Sequence, residues 1–362
     1  MNLTAVKIFQ YALPLTKPLT VKGKNLDKRE GIFIQIFNEQ QMTGAGEISP
    51  LPCLSSETLT DAIKQLQSIK PKLLNQSIPA KVEHLNGRFE KWLGPFKLYP
   101  SVRFGLEMAV LNLIAQERKT SVSHLINKNA HADVFVNGLL TGTKNEVLKE
   151  ARELLQNGFT AFKLKVGRGS VESDIEKIKA LNELMRDKAL LRLDANQAWA
   201  LKSAIQLGEK IGCAAVEYIE EPLKSIGAIP EFYARTLIPV ALDESLLVIN
   251  TRNIKYIDGV DVIVFKPTMF GSIEKAWALI KQSQNLGMKV VISSSYETSL
   301  GIIFLAHLSA CLLRETPVGL DTLKFFKNDL LTDKVKIKHG KLNLKDLNFR
   351  LEDINYSFAK EV

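Results

Sequence analysis

The stretch Phe162-Lys163-Leu164-Lys165-Val166-Gly167 predicts one β-strand that carries two lysines. Residues two apart in a strand point to the same side, so the two lysines share one face and the apolar residues share the other. A lone pair of lysines spaced in this way is more typical of an exposed edge strand. The segments that follow along the chain favour a functional interpretation instead.

Four short apolar segments follow at regular intervals, and each ends in a charged residue. They are Leu190 to Asp194, Val216 to Glu220, Val240 to Asp243 and Val262 to Lys266. From residue 165 to 194, 220, 243 and 266 the successive steps are 29, 26, 23 and 23 residues. Each step has the length of about one strand, one helix and two loops. This regularity predicts a parallel βα array in which a crossover helix joins successive strands.

The second half of the chain continues the same alternation. The predicted strands are Val134 to Leu140, Ala161 to Val166, Leu190 to Asp194, Val216 to Glu220, Val240 to Asp243, Val262 to Lys266, Val290 to Ser293 and Pro317 to Leu320. The predicted helices include Lys144 to Gln156, Val171 to Met185, Ala200 to Lys210, Ser272 to Asn285 and Leu300 to Leu312. This pattern favours a closed barrel over an open sheet, and no G-x-G-x-x-G follows an early strand to indicate a dinucleotide fold.

The first 125 residues predict an α+β unit. Its strands are Val6 to Tyr11, Gly31 to Phe37 and Met42 to Ile48, followed by helices at Glu57 to Leu74 and Ser101 to Gln116, with Ser101 as the cap of the second helix. Two capping loops are expected at Leu15 to Asp27 and Leu51 to Thr58. The last 40 residues predict a hairpin, Lys334 to Lys338 turning at His339-Gly340 into Lys341 to Leu344, in a tail that returns to the N-terminal unit.

Three carboxylates end consecutive predicted strands. In a parallel βα barrel the residues at the carboxyl ends of the strands line the active face, so we expect Asp194, Glu220 and Asp243 to converge. Converging carboxylates repel one another unless a cation lies between them. All-oxygen ligation favours Mg²⁺ over zinc or copper. Each acid alone could equally be an exposed strand end or a helix cap, but three in register predict a metal site.

Lysines flank this predicted metal site. A lysine has a pKa of about 10.4 in water and is protonated at neutral pH. Positive charge from Lys163 and from the metal would lower the pKa of Lys165. Lys165 could then remove a proton α to a carboxylate while Mg²⁺ stabilises the resulting enediolate. Lys266 would face Lys165 across the substrate.

Together these residues resemble the enolase superfamily. The matching motifs are Lys163-x-Lys165, Asp194 in Asp-Ala-Asn, Glu220 in Glu-Glu-Pro, Asp243 in Asp-Glu-Ser and Lys266 in Lys-Pro-Thr. Their order is similar to that of the muconate-cycloisomerase-like branch over essentially the whole chain. The resemblance implies an α/β fold with a (β/α)7β TIM-like barrel at residues 126–322. It also implies an α+β capping domain formed by residues 1–125 and the tail 323–362, and Mg²⁺ as the cofactor, with Mn²⁺ as a substitute.

Within that branch, local stretches resemble the o-succinylbenzoate synthases. They are Gly46 to Pro52, Ser101 to Ala109, Lys266 to Gly271 and Ser293 to Gly301. The resemblance implies a hydro-lyase of menaquinone synthesis, which eliminates water from 2-succinyl-6-hydroxy-2,4-cyclohexadiene-1-carboxylate to give 2-succinylbenzoate. Lys165 would take the α-proton and return it to the leaving hydroxyl. Lys266 would lie over the opposite face of the substrate as a cation.

Three further residues are candidates for substrate binding. Asn196 lies two residues after Asp194 and would point to the same side. Ser294 and Ser295 follow the seventh predicted strand, where they would bind the succinyl carboxylate. The alternatives without a binding function are a turn-forming asparagine and a serine-rich loop that holds no ligand. Beside the metal ligands, Glu221 and Glu244 would either pair with the lysines or be solvated.

Other functions remain open at this point. An N-succinylamino-acid racemase or a dipeptide epimerase would share the same chemistry. Dipeptide epimerases of this branch typically carry Asp-x-Asp at the eighth strand, where this chain has Gly319-Leu320-Asp321. A class I aldolase would use a barrel lysine as a Schiff base and would not need three carboxylates. A non-catalytic barrel that binds anions would need neither Lys165 nor the carboxylates.

The composition of the chain limits the kinds of molecule that the protein is expected to bind. The chain has 362 residues, 46% of them hydrophobic, and a formal net charge of +9. Its lysines are interleaved with acids rather than gathered in a stripe, so we expect a small carboxylate substrate and no nucleic acid. No secretory signal and no apolar segment of membrane-spanning length is evident, and the cysteines, Cys53, Cys213 and Cys311, form no C-x-x-C pair. We therefore expect a cytoplasmic protein without a membrane partner, and the oligomeric state stays open.

Overall fold

The computed structural model describes residues 1–74, 76–79, 85, 87–249, 254–312, 316–347 and 350–362. The strands within these residues are β1 (Leu3–Val21), β2 (Lys24–Asn38), β3 (Thr43–Ile48), β4 (Asp133–Phe135), β5 (Gly138–Leu140), β6 (Ala161–Lys165), β7 (Leu190–Asp194), β8 (Tyr218–Glu220), β9 (Val240–Leu242), β10 (Val260–Phe265), β11 (Lys289–Ile292), β12 (Lys341–Asn343) and β13 (Ala359–Glu361). The α-helices are α1 (Leu59–Leu73), α2 (Arg88–Leu93), α3 (Pro100–Glu117), α4 (Val122–Ile126), α5 (Lys144–Gln156), α6 (Val171–Met185), α7 (Leu201–Ile211), α8 (Ile229–Thr236), α9 (Pro267–Phe270), α10 (Ile273–Asn285) and α11 (Ser299–Ser309).

A parallel sheet forms the larger part of the molecule. Its strands follow one another in chain order from β5 to β11, and each pairs in parallel with the next. Val318 bridges to Val136 and Gly319 bridges to Ser293, both in parallel, so this segment joins the two edges of the sheet. The predicted α/β barrel is thereby confirmed. Within the described residues, the predicted eighth strand, Pro317 to Leu320, contributes these two single bridges and no longer ladder.

The first predicted barrel strand, Val134 to Leu140, is divided in the structure. β4 pairs antiparallel with β12 of the tail, whereas β5 pairs with β6 inside the barrel. The change of partner falls between them, where Asn137 donates its backbone N–H to the carbonyl of Val318. An apolar run does not reveal a change of partner, because both partners bury the same kind of side chain.

The N-terminal strands form a separate antiparallel sheet in the order β13-β1-β2-β3. β1 and β2 are longer than predicted, and the segment from Leu15 to Asp27 is mostly a hairpin rather than a loop. Its two turn residues, Lys22 and Gly23, have φ angles of 43° and 81°. Positive φ at both central positions matches the right-handed twist of the paired strands, which favours such short hairpin turns.

Strand β3 packs directly against helix α3. A Cβ atom added at Gly46 would lie 1.9 Å from the carbonyl oxygen of Gly105, and one added at Gly44 would lie 2.0 Å from that of Ala109. Only glycine allows this close approach of strand and helix. The helix begins one residue earlier than predicted, with Tyr99 as its N-cap and Pro100 at its first position, so Ser101 is not the cap.

The tail returns to both parts of the molecule. β13 pairs with β1 of the N-terminal sheet, and β12 pairs with β4. The predicted hairpin arm from Lys334 to Lys338 is not a strand, because only a single bridge joins Lys338 to Lys341. α5 and α6 have the predicted bounds, and α8 was not predicted. Within the described residues, no helix is both long enough and apolar enough to cross a membrane.

Candidate active site

The register of the barrel strands brings the predicted site residues to one edge of the sheet. Lys165 is directly opposite Asp194, and Asp194 is directly opposite Glu220. Glu220 is opposite Ala241, two residues before Asp243, so these two acids point to the same side. Lys266 follows immediately after β10. The five residues therefore meet at the carboxyl ends of consecutive strands, as the spacing predicts.

Each lysine ammonium group contacts the carboxylates at this edge. Lys163 Nζ lies 2.7 Å from Glu220 Oε1 and 2.9 Å from Asp194 Oδ2. Lys165 Nζ lies 2.6 Å from the same oxygen of Asp194. Lys266 Nζ donates to Oδ2 of Asp243. The barrel end therefore holds alternating positive and negative groups in direct contact.

The site is almost closed to solvent. Asp194 and Glu220 are at most 1% exposed, whereas the side chains of Lys165 and Lys266 keep 18% and 17% of their surface. Lys163, with 9% of its side chain exposed, borders the same pocket, and Lys165 and Lys266 are the more accessible of the three lysines.

Burial and charge act together on the ionisation of these groups. Burial disfavours the charge of Asp194, but the surrounding lysine ammonium groups hold its pKa well below the usual range. Burial raises the pKa of Glu220, and the charges of Asp194 and Asp243 raise it further. Burial also disfavours the charge of Lys163, yet Asp194 and Glu220 raise its pKa well above the ordinary value. The carboxylates are therefore close enough to act on one another.

The donor set suits a hard divalent cation, since it consists of carboxylate oxygens. Among the described residues, however, no three His, Cys, Asp or Glu side chains are arranged closely enough to hold a metal ion as they stand. The lysine ammonium groups form the ion pairs of these carboxylates. The assignment of Asp194, Glu220 and Asp243 as metal ligands therefore stays a prediction.

Glu221 was expected either to pair with a lysine or to be solvated, and the structure gives it a different role. Its carboxylate accepts the backbone N–H groups of Asp243 and Ser245, each at 2.8 Å, and the Ser245 hydroxyl at 2.8 Å. Gln197 Nε2 donates to it at 3.0 Å. Glu221 is 1% exposed. Within the described residues it therefore pairs with no lysine, it is not solvated, and it fixes the backbone that carries Asp243.

The three candidate substrate residues are placed differently from one another. Asn196 is exposed, accepts from Lys165 Nζ at 2.8 Å and donates to Glu244 at 2.8 Å. The Ser294 hydroxyl pairs with that of Thr322 at 2.6 Å. The Ser295 N–H donates to Glu297 at 2.6 Å, and its hydroxyl has no hydrogen-bond partner within the described residues. All three candidates border one open pocket.

The pocket above the lysines is lined by the two segments expected to be capping loops, Leu15 to Asp27 and Leu51 to Thr58, and by barrel residues that were not named as site candidates. The β1–β2 turn, with Lys22, and the leucines Leu51 and Leu54 line it from the N-terminal unit, and Arg168 and Tyr296 line it from the barrel. These residues are far apart in sequence, although Leu51 and Tyr296 lie within the stretches Gly46 to Pro52 and Ser293 to Gly301 that resemble the synthases. The regular βα spacing could not have identified them.

Two family models match this chain. The Enolase C-terminal domain-like model covers residues 146–348, more than half of the chain, and the MenC N-terminal domain model covers residues 3–113. The chain belongs to the enolase superfamily. Its members are enzymes, so the recognition made from the motifs is confirmed.

Individual members of the superfamily are similar over nearly the whole chain. The o-succinylbenzoate synthase of Aliivibrio fischeri is 33% identical over 329 residues, which cover 90% of this chain and 92% of that protein. A dipeptide epimerase from Enterococcus faecalis, solved with Mg and the dipeptide L-Leu-L-Tyr, has a TM-score of 0.83 at 22% identity and covers 95% of this chain and 97% of that chain. The muconate lactonizing enzyme of Pseudomonas fluorescens has a TM-score of 0.82 at 19% identity, with 94% of each chain covered. At these identities, the solved structures establish the fold of this superfamily member.

Proposed function

We propose that this enolase-superfamily protein is an o-succinylbenzoate synthase that eliminates water from 2-succinyl-6-hydroxy-2,4-cyclohexadiene-1-carboxylate. The main support is the 33% identity to synthases along 90% of the chain, including the MenC-type N-terminal region. The position of Lys165, opposite Asp194 and accessible from the pocket, adds a candidate base. The proposal places the enzyme in the cytoplasm and in menaquinone synthesis.

Lys165 is the residue proposed to move the proton. In its neutral form it removes the hydrogen from the ring carbon that carries the carboxylate, giving an enediolate. The C–O bond to the neighbouring hydroxyl then breaks, and the proton held by Lys165 leaves with that hydroxyl as water. The ring becomes aromatic, and the lysine returns to its starting state. Asn196, which contacts Lys165 Nζ at 2.8 Å, orients the amine.

Lys163 and Lys266 supply fixed positive charge on either side. Lys163 lies buried between Asp194 and Glu220, where the two carboxylates keep it protonated. Burial disfavours the charge of Lys266, but the carboxylate of Asp243 raises its pKa, so it too is a cation at neutral pH. A permanent cation beside the substrate stabilises negative charge that develops in the transition state.

Asp194, Glu220 and Asp243 would hold Mg²⁺, or Mn²⁺ in its place. When bound, such an ion would supply positive charge at the substrate carboxylate and so favour loss of the adjacent proton. Burial raises the pKa of Glu220, repulsion from Asp194 and Asp243 raises it further, and a bound cation would relieve that repulsion. Ser294 and Ser295, at the far side of the same pocket, are proposed to bind the succinyl carboxylate.

The epimerase or racemase activity of related barrels is the second candidate, because solved dipeptide epimerases share this fold. The residue that would hold the substrate amino group is Asp321, and its carboxylate already accepts from Leu139 N–H at 3.0 Å and contacts Lys324 Nζ at 2.7 Å. The position two residues earlier is Gly319. These contacts favour the synthase.

The first experiment is turnover of the cyclohexadiene carboxylate with and without Mg²⁺, followed by the absorbance of the aromatic product. We expect metal-dependent turnover by the wild type and a loss of about 10³-fold or more in kcat for Lys165→Ala, because the proton acceptor is missing. The matched control is Lys289→Ala. That lysine pairs with Glu217 at 2.8 Å at the opposite end of the barrel, so its loss should leave kcat unchanged.

Two results would contradict the proposal. A folded wild type with Mg²⁺ bound that does not convert the cyclohexadiene would exclude the synthase, and exchange of the α-proton in N-succinyl amino acids and dipeptides would then be measured. Full activity of Lys165→Ala would instead remove this lysine from the reaction.

A further inference from the structure

A buried arginine connects two separate walls of the pocket. Arg29 lies on β2 and is 1% exposed. Within the N-terminal unit it donates to the carbonyl oxygens of Glu30 and Pro50, each at 2.9 Å, and to that of Ser49. Ser49 and Pro50 lead directly into Leu51, which lines the pocket.

The same guanidinium holds the opposite wall, which belongs to the barrel. Arg29 Nε donates to the carbonyl of Tyr296 at 3.1 Å, and Nη2 donates to that of Ser295 at 3.4 Å. Tyr296 has a φ angle of 61°, in the left-handed region that a tyrosine seldom adopts. A conformation of that kind persists only where its surroundings fix it. The Arg29 contact is one such constraint.

The hydrogen-bonding capacity of this arginine is fully used. A guanidinium has five N–H donors in a fixed plane, and Arg29 makes five hydrogen bonds within the described part of the chain, all to backbone carbonyls. Three of them go to the N-terminal unit and two to the segment after β11. A lysine has three donors on a flexible stem and cannot span both walls in the same way.

Glu47 makes a second connection next to it. This glutamate is 1% exposed on β3 and accepts the N–H groups of Thr298 at 3.0 Å and Gly301 at 2.9 Å, at the start of helix α11. The Tyr11 hydroxyl donates to it at 2.6 Å. A carboxylate at the N-terminal end of a helix also stabilises that helix through its dipole. The N-terminal sheet therefore fixes both ends of the segment from Ser295 to Gly301.

We infer that Arg29 is a positioning residue for substrate binding, which sets the distance between the Leu51 wall and the Ser294–Tyr296 wall of the pocket. This inference rests on the proposed function for its kinetic consequence. Its structural consequence, that the two walls share one anchor, does not depend on the substrate. Arg29 does not border the pocket itself, so it acts through the residues that do.

Arg29→Lys tests this inference. We expect the KM for the cyclohexadiene carboxylate to rise about tenfold while kcat changes less than about threefold, because binding geometry is altered and the base is not. In hydrogen exchange, residues 49–54 and 293–298 should both exchange about tenfold faster, whereas β7 should be unaffected. The matched control is Arg103→Lys, a second buried arginine, which pairs with Glu107 at 2.8 Å outside the pocket and should leave KM and both segments unchanged.

The outcomes separate the two proposals. If the wild type does not turn over the substrate, the proposed function fails, while the exchange rates of the two segments still decide the role of Arg29. If Arg29→Lys folds and changes neither KM nor exchange, the inference is wrong. If that variant does not fold, hydrogen exchange of the wild type is measured at increasing denaturant concentration. A shared anchor requires segments 49–54 and 293–298 to open with the same free energy. Different opening free energies for the two segments would overturn the inference.

Discussion

The neighbouring glutamates Glu220 and Glu221 are both buried, yet they make different contacts. Glu220 pairs with Lys163, whereas Glu221 accepts from the backbone of Asp243 and Ser245. The left-handed backbone of Glu221, with a φ angle of 44°, is what turns the second carboxylate away from the first. Glu220 thus belongs to the predicted set of metal ligands. Glu221 instead supports Asp243, another member of that set.

Glu221→Gln should weaken Mg²⁺ binding while leaving the fold intact. The glutamate accepts from two backbone N–H groups, one hydroxyl and one amide. The isosteric glutamine would direct its own N–H₂ toward some of these donors, and the segment carrying Asp243 would shift. Loss of such a supporting contact lowers metal affinity by about 10–100-fold.

Isothermal titration with Mg²⁺ measures this effect without reference to turnover. Glu231→Gln, on the exposed side of helix α8, is the control and should bind Mg²⁺ like the wild type. Equal affinity of the Glu221 variant and the wild type would show that Asp243 does not need this support, or that it is not a ligand.

At the scale of elements, two helices that begin at local caps, α5 and α6, were predicted with their observed bounds. α5 begins at a capping box in which Thr143 and Glu146 bond each other's backbone, and α6 begins after Ser170, which accepts the Ser173 N–H. Helix α3 carries no such cap. Its N-cap is Tyr99, followed by Pro100, and Ser101 instead donates its N–H to Glu57 at 2.9 Å.

The packing of β3 on α3 gives a prediction at this scale. Gly46→Ala should destabilise the protein by about 1–3 kcal/mol or more, because the added Cβ would lie 1.9 Å from the Gly105 carbonyl oxygen and the backbones would have to separate. Urea unfolding measures the change. Gly169→Ala, at a position with nothing within 4 Å of the added Cβ, should be nearly neutral. Equal midpoints for the two variants would contradict the close packing.

At the scale of the whole molecule, the tail connects the two ends of the chain. Ala359 is opposite Tyr11 and Glu361 is opposite Phe9, and the Val362 N–H donates to the carbonyl of Ile8. We propose that residues 1–125 and 323–362 form one capping unit on the barrel of residues 126–322, as the sequence predicts. The β13–β1 pairing supports this division.

Removal of residues 359–362 should affect the N-terminal sheet and not the barrel. The deletion turns β1 into an edge strand, so its backbone amides between Ile8 and Tyr11 should exchange with solvent about tenfold faster or more. The amides of β7 serve as the internal reference and should keep their protection. Equal acceleration in β7 would indicate that the tail stabilises the molecule as a whole, which contradicts a separate capping unit.

The sequence alone determined the barrel and the positions of its charged strand ends. Strand alternation and βα spacing are local properties, so they can be read from neighbouring residues, and parallel strands bring their carboxyl ends to one edge. The lysine and carboxylate positions at that edge follow from the register of Lys165, Asp194 and Glu220.

Only the tertiary structure decided how the N-terminal sheet and the barrel are joined beside the pocket. Arg29 meets Tyr296 across 267 positions of sequence, and Glu47 meets Thr298 across 251. Such contacts depend on how the N-terminal sheet is seated on the barrel, and no local period records that. The same holds for Glu221, whose partners depend on one left-handed residue. Local patterns encode which face of an element is buried, but the partner across an interface is selected only when the elements pack.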